Sequence, residues 1–267
     1  MQVFGDDGTR VDVRVDGFGG VPIVLIHGFP LAREIWDSQA VALSRAHRVI
    51  RPDLRGMGKS SVPDGPYLMD VLAADVASVL DALGIERAAI AGHSLGGYVA
   101  IAFARMFTER VSHLALVCSR LAADSPEQAA ARRELADRAE RDGSVQAVTD
   151  AYVPRLTAPQ TARERPELVA RIREIANRTD PYGAASMLRG MAMRVAADDI
   201  APDLRVPAIV VAGGCDAVIP MEEARAVARA LPRGRLIVCE SSGHLPMLEE
   251  PEKVSDALAA LTSGASE

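Results

Sequence analysis

Short apolar segments alternate with helical patterns over most of this 267-residue chain. Residues 21–26 are a nearly continuous apolar run, which is typical of a strand covered on both faces. The sequence predicts strands at residues 10–16, 21–26, 47–51, 87–91, 111–118, 208–213 and 235–239. It predicts helices between several of them, at residues 67–83, 95–107, 221–231 and 252–261. Such alternation indicates an α/β fold, with a mostly parallel twisted sheet and helices on both faces.

One long segment, residues 121–199, interrupts this alternation. It contains no convincing strand, is rich in Ala, Arg and Glu, and carries five prolines. Structureless loops longer than about 15 residues are uncommon within compact domains. The sequence therefore predicts several helices joined by Pro-containing turns, forming a cap (lid) at residues 121–199 inserted in a core of residues 1–120 and 200–267.

Composition excludes some classes of partner. The formal net charge of −6 argues against nucleic-acid binding, which needs clustered Lys and Arg. No apolar run is long enough to span a membrane, and the N-terminus lacks the basic and apolar regions of a signal peptide. The three cysteines have no C-x-x-C spacing, so we interpret them as buried thiols in a reducing compartment. A cytoplasmic protein is expected, and its oligomeric state is left open.

The motif Gly92-His93-Ser94-Leu95-Gly96 lies between a predicted strand and a predicted helix. This context is typical of a nucleophile elbow, where a sharp turn lifts the serine hydroxyl clear of the backbone. Side chains at Gly92 and Gly96 would collide with the neighbouring strand and helix. Ser94 is therefore the candidate nucleophile, although a glycine-rich turn with an incidental serine is the alternative interpretation.

A serine nucleophile needs a base and an orienting carboxylate. His244 lies in a short loop between the last predicted strand and the last helix, and is the candidate base. Asp216 follows the strand at residues 208–213 and is the favoured acid, because active-site residues of α/β sheets gather at strand ends. Asp124, which follows the preceding strand, is the alternative acid.

The turn His27-Gly28-Phe29-Pro30 follows the buried run at residues 21–26. The backbone N–H groups of Phe29 and Leu95 are predicted to form an oxyanion hole. His27 is expected to brace the turn, because no cluster of metal-binding residues accompanies it. Candidates for the apolar pocket wall are Phe29, Leu95, Trp36, Met191 and Met193, and ordinary core is the stronger interpretation of each.

These motifs, in the order Ser94, Asp216, His244, resemble the α/β-hydrolase superfamily. The resemblance also rests on residues 27–30, 52–60, 92–97 and 214–216, and it covers residues 27–244. It is strongest to small capped serine esterases, enol-lactonases and cofactor-free haloperoxidase-like members. A serine at the elbow, rather than the aspartate of epoxide hydrolases and dehalogenases, favours acyl transfer.

The resemblance implies hydrolysis of a small, largely apolar carboxylic ester without a metal or an organic cofactor. Opening of a lactone or an enol-lactone, or cleavage of a carbon–carbon bond, on the same triad is one alternative. A ligand receptor that retains a slow triad is an alternative of another class. The lid sequence itself identifies no substrate.

Overall fold

A computed structural model describes residues 1–263, so the last four residues of the predicted core segment lie outside it. Eight strands form one sheet in the order β1-β2-β4-β3-β5-β6-β7-β8. The strands are β1 (Gln2–Phe4), β2 (Arg10–Asp16), β3 (Ile23–Ile26), β4 (Val49–Pro52), β5 (Ala88–His93), β6 (Val111–Val117), β7 (Ala208–Gly213) and β8 (Gly234–Cys239).

The sheet is mostly parallel, as the sequence predicts. The antiparallel pairs are β1 with β2 and β2 with β4, at one edge of the sheet. The central strands β3, β5 and β6 are parallel neighbours, with Ile26 opposite Gly92 and His93 opposite Val117. The three-residue strand β1 was not predicted, because so short a segment shows no clear alternation.

Helices cover both faces of the sheet. Those outside the lid segment are α1 (Asp37–Leu43), α2 (Met69–Ala82), α3 (Leu95–Met106), α9 (Met221–Ala230), α10 (Pro246–Glu249) and α11 (Pro251–Thr262). Two apolar clusters fill the space between helices and sheet, one around Phe103 and the other around Trp36. The helices α1 and α10 were not predicted, because seven and four residues are too few to show a helical period.

The segment predicted to be a lid contains five α-helices: α4 (Pro126–Asp142), α5 (Gln146–Tyr152), α6 (Pro159–Glu164), α7 (Pro166–Asn177) and α8 (Pro181–Ala192). Four of them begin with proline, which is tolerated there because the first helical N–H groups have no partner within the helix. The prolines thus start helices, whereas the sequence prediction placed them in turns. Helix α4 packs lengthwise against α8.

The carboxyl ends of the parallel strands bring distant residues together. Ser94 directly follows β5, Cys118 follows β6, Asp216 follows β7, and His244 lies in the loop after β8. None of the helices within residues 1–263 is long and apolar enough to cross a membrane. Cys118 and Cys239 are buried as predicted, whereas Cys215 is exposed.

Candidate active site

Ser94 occupies the sharp turn between β5 and α3. Its backbone has φ 50° and ψ −112°, an unfavourable conformation for a residue with a side chain. Neighbouring hydrogen bonds hold it there: its N–H donates to the carbonyl of Val117 (2.9 Å), and the Ser119 hydroxyl donates to its carbonyl (2.9 Å). The strained turn and its supports match the elbow geometry expected from the motif.

The elbow depends on its two flanking glycines. A Cβ atom at position 92 would lie 2.0 Å from the carbonyl oxygen of Gly96, and one at position 96 would lie 2.3 Å from that of Ile26. Both distances are far below van der Waals contact. The atoms concerned belong to the backbone of α3 and β3, which cannot move aside as a side chain could. The collisions expected from the sequence are therefore found, with α3 and with β3.

His244 and Asp216 form a buried pair. The ring Nδ1 of His244 lies 2.8 Å from Oδ2 of Asp216, and both side chains are 2% exposed. The other carboxylate oxygen, Oδ1, accepts hydrogen bonds from the N–H groups of Val218 (2.7 Å) and Ile219 (3.0 Å). Burial alone would raise the pKa of Asp216, but His244 and the two N–H donors lower it overall. An ionised Asp216 accepts a hydrogen bond from Nδ1–H of His244, which favours the neutral tautomer with Nε2 unprotonated.

Asp124, the alternative acid, lies elsewhere in the site. Its carboxylate accepts hydrogen bonds from Arg120 (2.7 Å) and Arg132, and has none from His244 among residues 1–263. The structure thus pairs the histidine with Asp216 and Asp124 with arginines.

Two backbone N–H groups have no acceptor within the described chain, and they belong to the residues predicted for the oxyanion hole. Phe29 and Leu95 are 4% and 1% exposed, and neither N–H donates a hydrogen bond within residues 1–263. Leu95 is the first residue of α3, where N–H groups are unpaired and the helix dipole is positive. These two donors are available to an anionic oxygen.

His27 and His93 brace the site. Nε2 of His27 accepts the Leu54 N–H (3.0 Å) and Nδ1 faces the Gly28 carbonyl (3.0 Å), so both ring nitrogens are used, in line with its predicted bracing role. His93 Nε2 lies 2.8 Å from the backbone carbonyl of His244 and thereby fixes the loop that carries the base. Burial lowers the pKa of His27, and that of His93 falls well below its ordinary value.

These two histidines make stability depend on pH. In the folded protein the pKa of both is lowered, chiefly by burial, whereas an unfolded histidine takes up a proton near a pKa of about 6.5. Below that pH the unfolded state binds more protons, so the free energy of unfolding falls by up to about 1.4 kcal/mol per pH unit for each histidine. Urea denaturation between pH 7.5 and 5.5 should show this loss, with a shallower slope for His93→Gln. An equal slope in the two proteins would contradict the role of His93.

A small cavity joins these groups. Its volume is about 50 Å³. The residues that line it are Phe29, Ser94, Tyr98, Arg120, Arg132, Tyr152, Leu156, Met191, Val218, Ile219 and His244. The structure shows no hydrogen bond between Ser94 and His244, a contact that often tightens only when a substrate binds. A larger cavity of about 370 Å³ lies beside Tyr98 and contains none of Ser94, Asp216 and His244. We therefore place the candidate site in the smaller one.

The family follows from comparison with known proteins. A family model described as alpha/beta hydrolase fold matches residues 21–251. The chain belongs to the α/β-hydrolase family. Among solved structures, a thermophilic esterase from Thermogutta terrifontis, solved with malate bound, is 37% identical, with a TM-score of 0.94 over 98% of each chain. The enol-lactonase from Burkholderia xenovorans LB400 is 29% identical, with a TM-score of 0.91 over 98% of this chain and 100% of that one.

A curated relative is longer. The dihydrolipoyllysine-residue acetyltransferase component of the acetoin cleaving system from Pseudomonas putida is 32% identical over 256 residues. The match covers 92% of this chain but only 65% of the relative's length. The matches confirm the predicted α/β-hydrolase fold and identify the protein as a hydrolase.

The segment of this α/β-hydrolase predicted to be a lid is hydrogen-bonded to the loop that carries His244. The His244 N–H donates to the carbonyl of Leu156 in the lid segment (3.0 Å). The carboxylate of Glu249 accepts the N–H groups of Gly243 (2.9 Å) and Ala158 (2.8 Å), one from each segment. Sequence reasoning missed Glu249, which stands five residues after His244 with no motif of its own.

A possible metal site in this α/β-hydrolase is the trio Cys118, Asp216 and His244, whose donor atoms lie within 4.8 Å of one another. A thiol binds a metal as thiolate. Burial, together with the charge of Asp216, raises the pKa of Cys118 well above its ordinary value. Asp216 and His244 already use their facing atoms in a hydrogen bond. The trio therefore fits an Asp–His pair beside a neutral thiol better than a metal centre.

The pocket wall of this α/β-hydrolase differs in part from the sequence prediction. Phe29 and Met191 line the cavity, whereas Trp36 is buried in the core on one face of the sheet and Met193 is 57% exposed. Leu95 adjoins Ser94, but its side chain packs in the core and does not line the cavity. The sequence prediction did not include Arg132 and Tyr152, because nothing in the pattern of residues 121–199 shows which helix face meets the site. It did not include Arg120, which lies in the loop after β6 with no motif of its own.

Proposed function

We propose that this hydrolase cleaves a small carboxylic ester through an acyl-enzyme formed on Ser94, with His244 as base and Asp216 as acid. The bond between His244 Nδ1 and Asp216, in the same site as the strained Ser94 turn, carries this proposal. Two unpaired N–H groups beside Ser94 add the electrostatic component that acyl transfer needs.

The proposed reaction consumes one water and yields an acid and an alcohol. Ser94 Oγ attacks the carbonyl carbon while Nε2 of His244 takes its proton, and the N–H groups of Phe29 and Leu95 stabilise the oxyanion. The C–O bond to the alcohol then breaks, and His244 protonates the departing oxygen. Water attacks the acyl-enzyme in the same way, giving its proton to His244, which returns it to Ser94 as the acid leaves.

The cavity favours a short substrate. A volume of about 50 Å³ holds only a few waters at about 10–15 Å³ each. The same triad opens a lactone ring by an identical attack, with the alcohol remaining tethered to the acyl group. The similarity to the Burkholderia enol-lactonase supports lactones as the second candidate class.

Labelling with a fluorophosphonate, followed by peptide mapping, tests the nucleophile. We expect modification of Ser94, because among the serines of residues 1–263 only Ser94 combines the elbow turn with a nearby base. Turnover of p-nitrophenyl esters should then fall steeply as the acyl chain lengthens, because the cavity is small. Label on another serine would contradict the proposal.

A further inference from the structure

Two arginines line the candidate site beside Ser94. Arg120 lies just beyond the end of β6, and Arg132 projects from helix α4 of the lid segment. Both are among the residues that line the cavity containing Ser94 and His244. A purely apolar ester would make no charge-assisted contact with these guanidinium groups, so it does not account for their presence in the cavity.

The arginines have more positive charge than their neighbours neutralise. Within residues 1–263, Asp124 is the only fully buried carboxylate in contact with them, with its side chain 2% exposed. Arg194 lies 3.9 Å from the same carboxylate, so three cations surround one buried anion. Glu223 is 33% exposed and lies 3.7 Å from Arg120, which still leaves one positive charge in excess. An uncompensated buried charge is costly, so a compensating anion would be favourable.

Hydrogen-bond donors of Arg120 also lack acceptors. Its Nε is buried without a partner, and its bonds to Asp124 (2.7 Å) and Gln128 (3.2 Å) both come from Nη2. Within residues 1–263, Nη1 has only the 3.7 Å contact to Glu223, beyond hydrogen-bond distance. Arg132 is better satisfied, by Asp124 and by the hydroxyl of Tyr152 (2.7 Å). The arginines are thus held in place while some donors remain unused.

Three arginines around Asp124 are not needed merely to hold helix α4 against the sheet. The Arg132–Asp124 contact already joins α4 to the loop after β6. The Nη1 and Nη2 groups of Arg194 donate to the carbonyls of Leu121 and Ala122 and its guanidinium stacks on Tyr98, although its Nε has no partner within residues 1–263. Arg120 is the additional cation, placed at the cavity wall. Planar guanidinium groups of this kind match carboxylates in geometry and charge.

We propose that the substrate is an ester or lactone whose acid part carries a free carboxylate, and that Arg120 and Arg132 bind this carboxylate while Ser94 attacks the ester carbonyl. The inference rests on the proposed function and narrows it to half-esters of short dicarboxylic acids and carboxylated lactones. Arg120 and Arg132 then determine specificity and take no part in proton transfer.

The test compares two esters of similar length, p-nitrophenyl hemiglutarate and neutral p-nitrophenyl valerate, at pH 7.5, where the free carboxyl is ionised. We expect the wild-type kcat/KM to favour the hemiglutarate by at least about tenfold, the usual value of a charge-assisted hydrogen bond. Arg132→Gln and Arg120→Gln should each reduce this preference by about ten- to a hundredfold. Arg229→Gln, which removes an exposed arginine paired with Glu222, should retain it.

Binding separates the two proposals and does not depend on catalysis. Calorimetric titration of Ser94→Ala with both esters should show the same preference for the hemiglutarate. Equal affinity for the two esters, or tighter binding of the valerate, would overturn the inference and leave the esterase proposal intact. A clear preference without wild-type turnover of either ester would support the carboxylate site and contradict the proposed function. The preference of the wild-type protein for the hemiglutarate over the valerate already tests the inference. The test therefore does not depend on whether the arginine variants fold.

Discussion

Replacing Ser94 with alanine is expected to lower kcat/KM for a short p-nitrophenyl ester by about 10⁴-fold or more. In the proposed mechanism this substitution removes the oxygen that forms the acyl-enzyme, and leaves the two backbone N–H groups and substrate binding to act on water alone. Alanine fits the space of Ser94, and the main-chain bonds to Val117 and Ser119 do not use its hydroxyl. We therefore expect the Tm of the variant to stay within a few degrees of the wild-type value.

A second serine serves as the control. Ser78 lies on α2 and donates its hydroxyl only to the carbonyl of Ala74 within its own helix (3.1 Å). Ser78→Ala should therefore retain wild-type turnover and accept the fluorophosphonate label. If Ser94→Ala kept more than a tenth of the wild-type rate, another group would have to be the nucleophile.

Asp216→Asn is expected to lower kcat by about 10⁴-fold with little change in KM. An asparagine amide facing Nδ1 of His244 favours the tautomer with its proton on Nε2, which cannot accept the proton of Ser94. The change is isosteric, and the N–H groups of Val218 and Ile219 can still donate to the amide oxygen. Turnover measured on p-nitrophenyl acetate over a pH range, with circular dichroism to check folding, gives the result directly.

Asp124→Asn distinguishes the two candidate acids. It leaves the pair of His244 and Asp216 intact but removes the carboxylate shared by Arg120, Arg132 and Arg194. We expect a lower Tm and at most a tenfold loss of turnover on the neutral ester, whereas Asp70→Asn, at an exposed ion pair with Arg105, should change neither. A 10³-fold loss in Asp124→Asn with an active Asp216→Asn would reverse the assignment.

The elements that the sequence predicted best are those with strong local signals. The bounds of β2 and β7 agree with the prediction to the residue, because both are long apolar or alternating runs next to turn residues. The Ser94 turn could be located because its two glycines are required by backbone contacts within ten residues or across one neighbouring strand. The α/β-hydrolase fold followed from the order of these motifs.

Other features depend on contacts that no local pattern encodes. Glu249 bonds to Gly243 and to Ala158, which is 91 residues away in the chain, and such a bridge leaves no periodic trace. Helix α4 contains several arginines, and its sequence alone does not show which of them faces the cavity. Arg132 is the one that does so once α4 packs against α8. Trp36, a candidate for the pocket wall, is instead fully buried in the core on one face of the sheet.

The hydrogen bond from His244 to Leu156 also bears on how hydrolases of this shape can diversify. Because residues 156–158 support the loop that carries His244, the predicted lid segment could not be exchanged without affecting the proposed base. A graft of the whole segment 121–199 from a relative would alter the alignment of His244 together with the shape of the pocket. A loss of activity would then not show whether the substrate fits the new pocket. Variation confined to α4, α5, α7 and α8, with residues 153–158 retained, would let new substrates be sampled while the proton-transfer geometry is inherited unchanged.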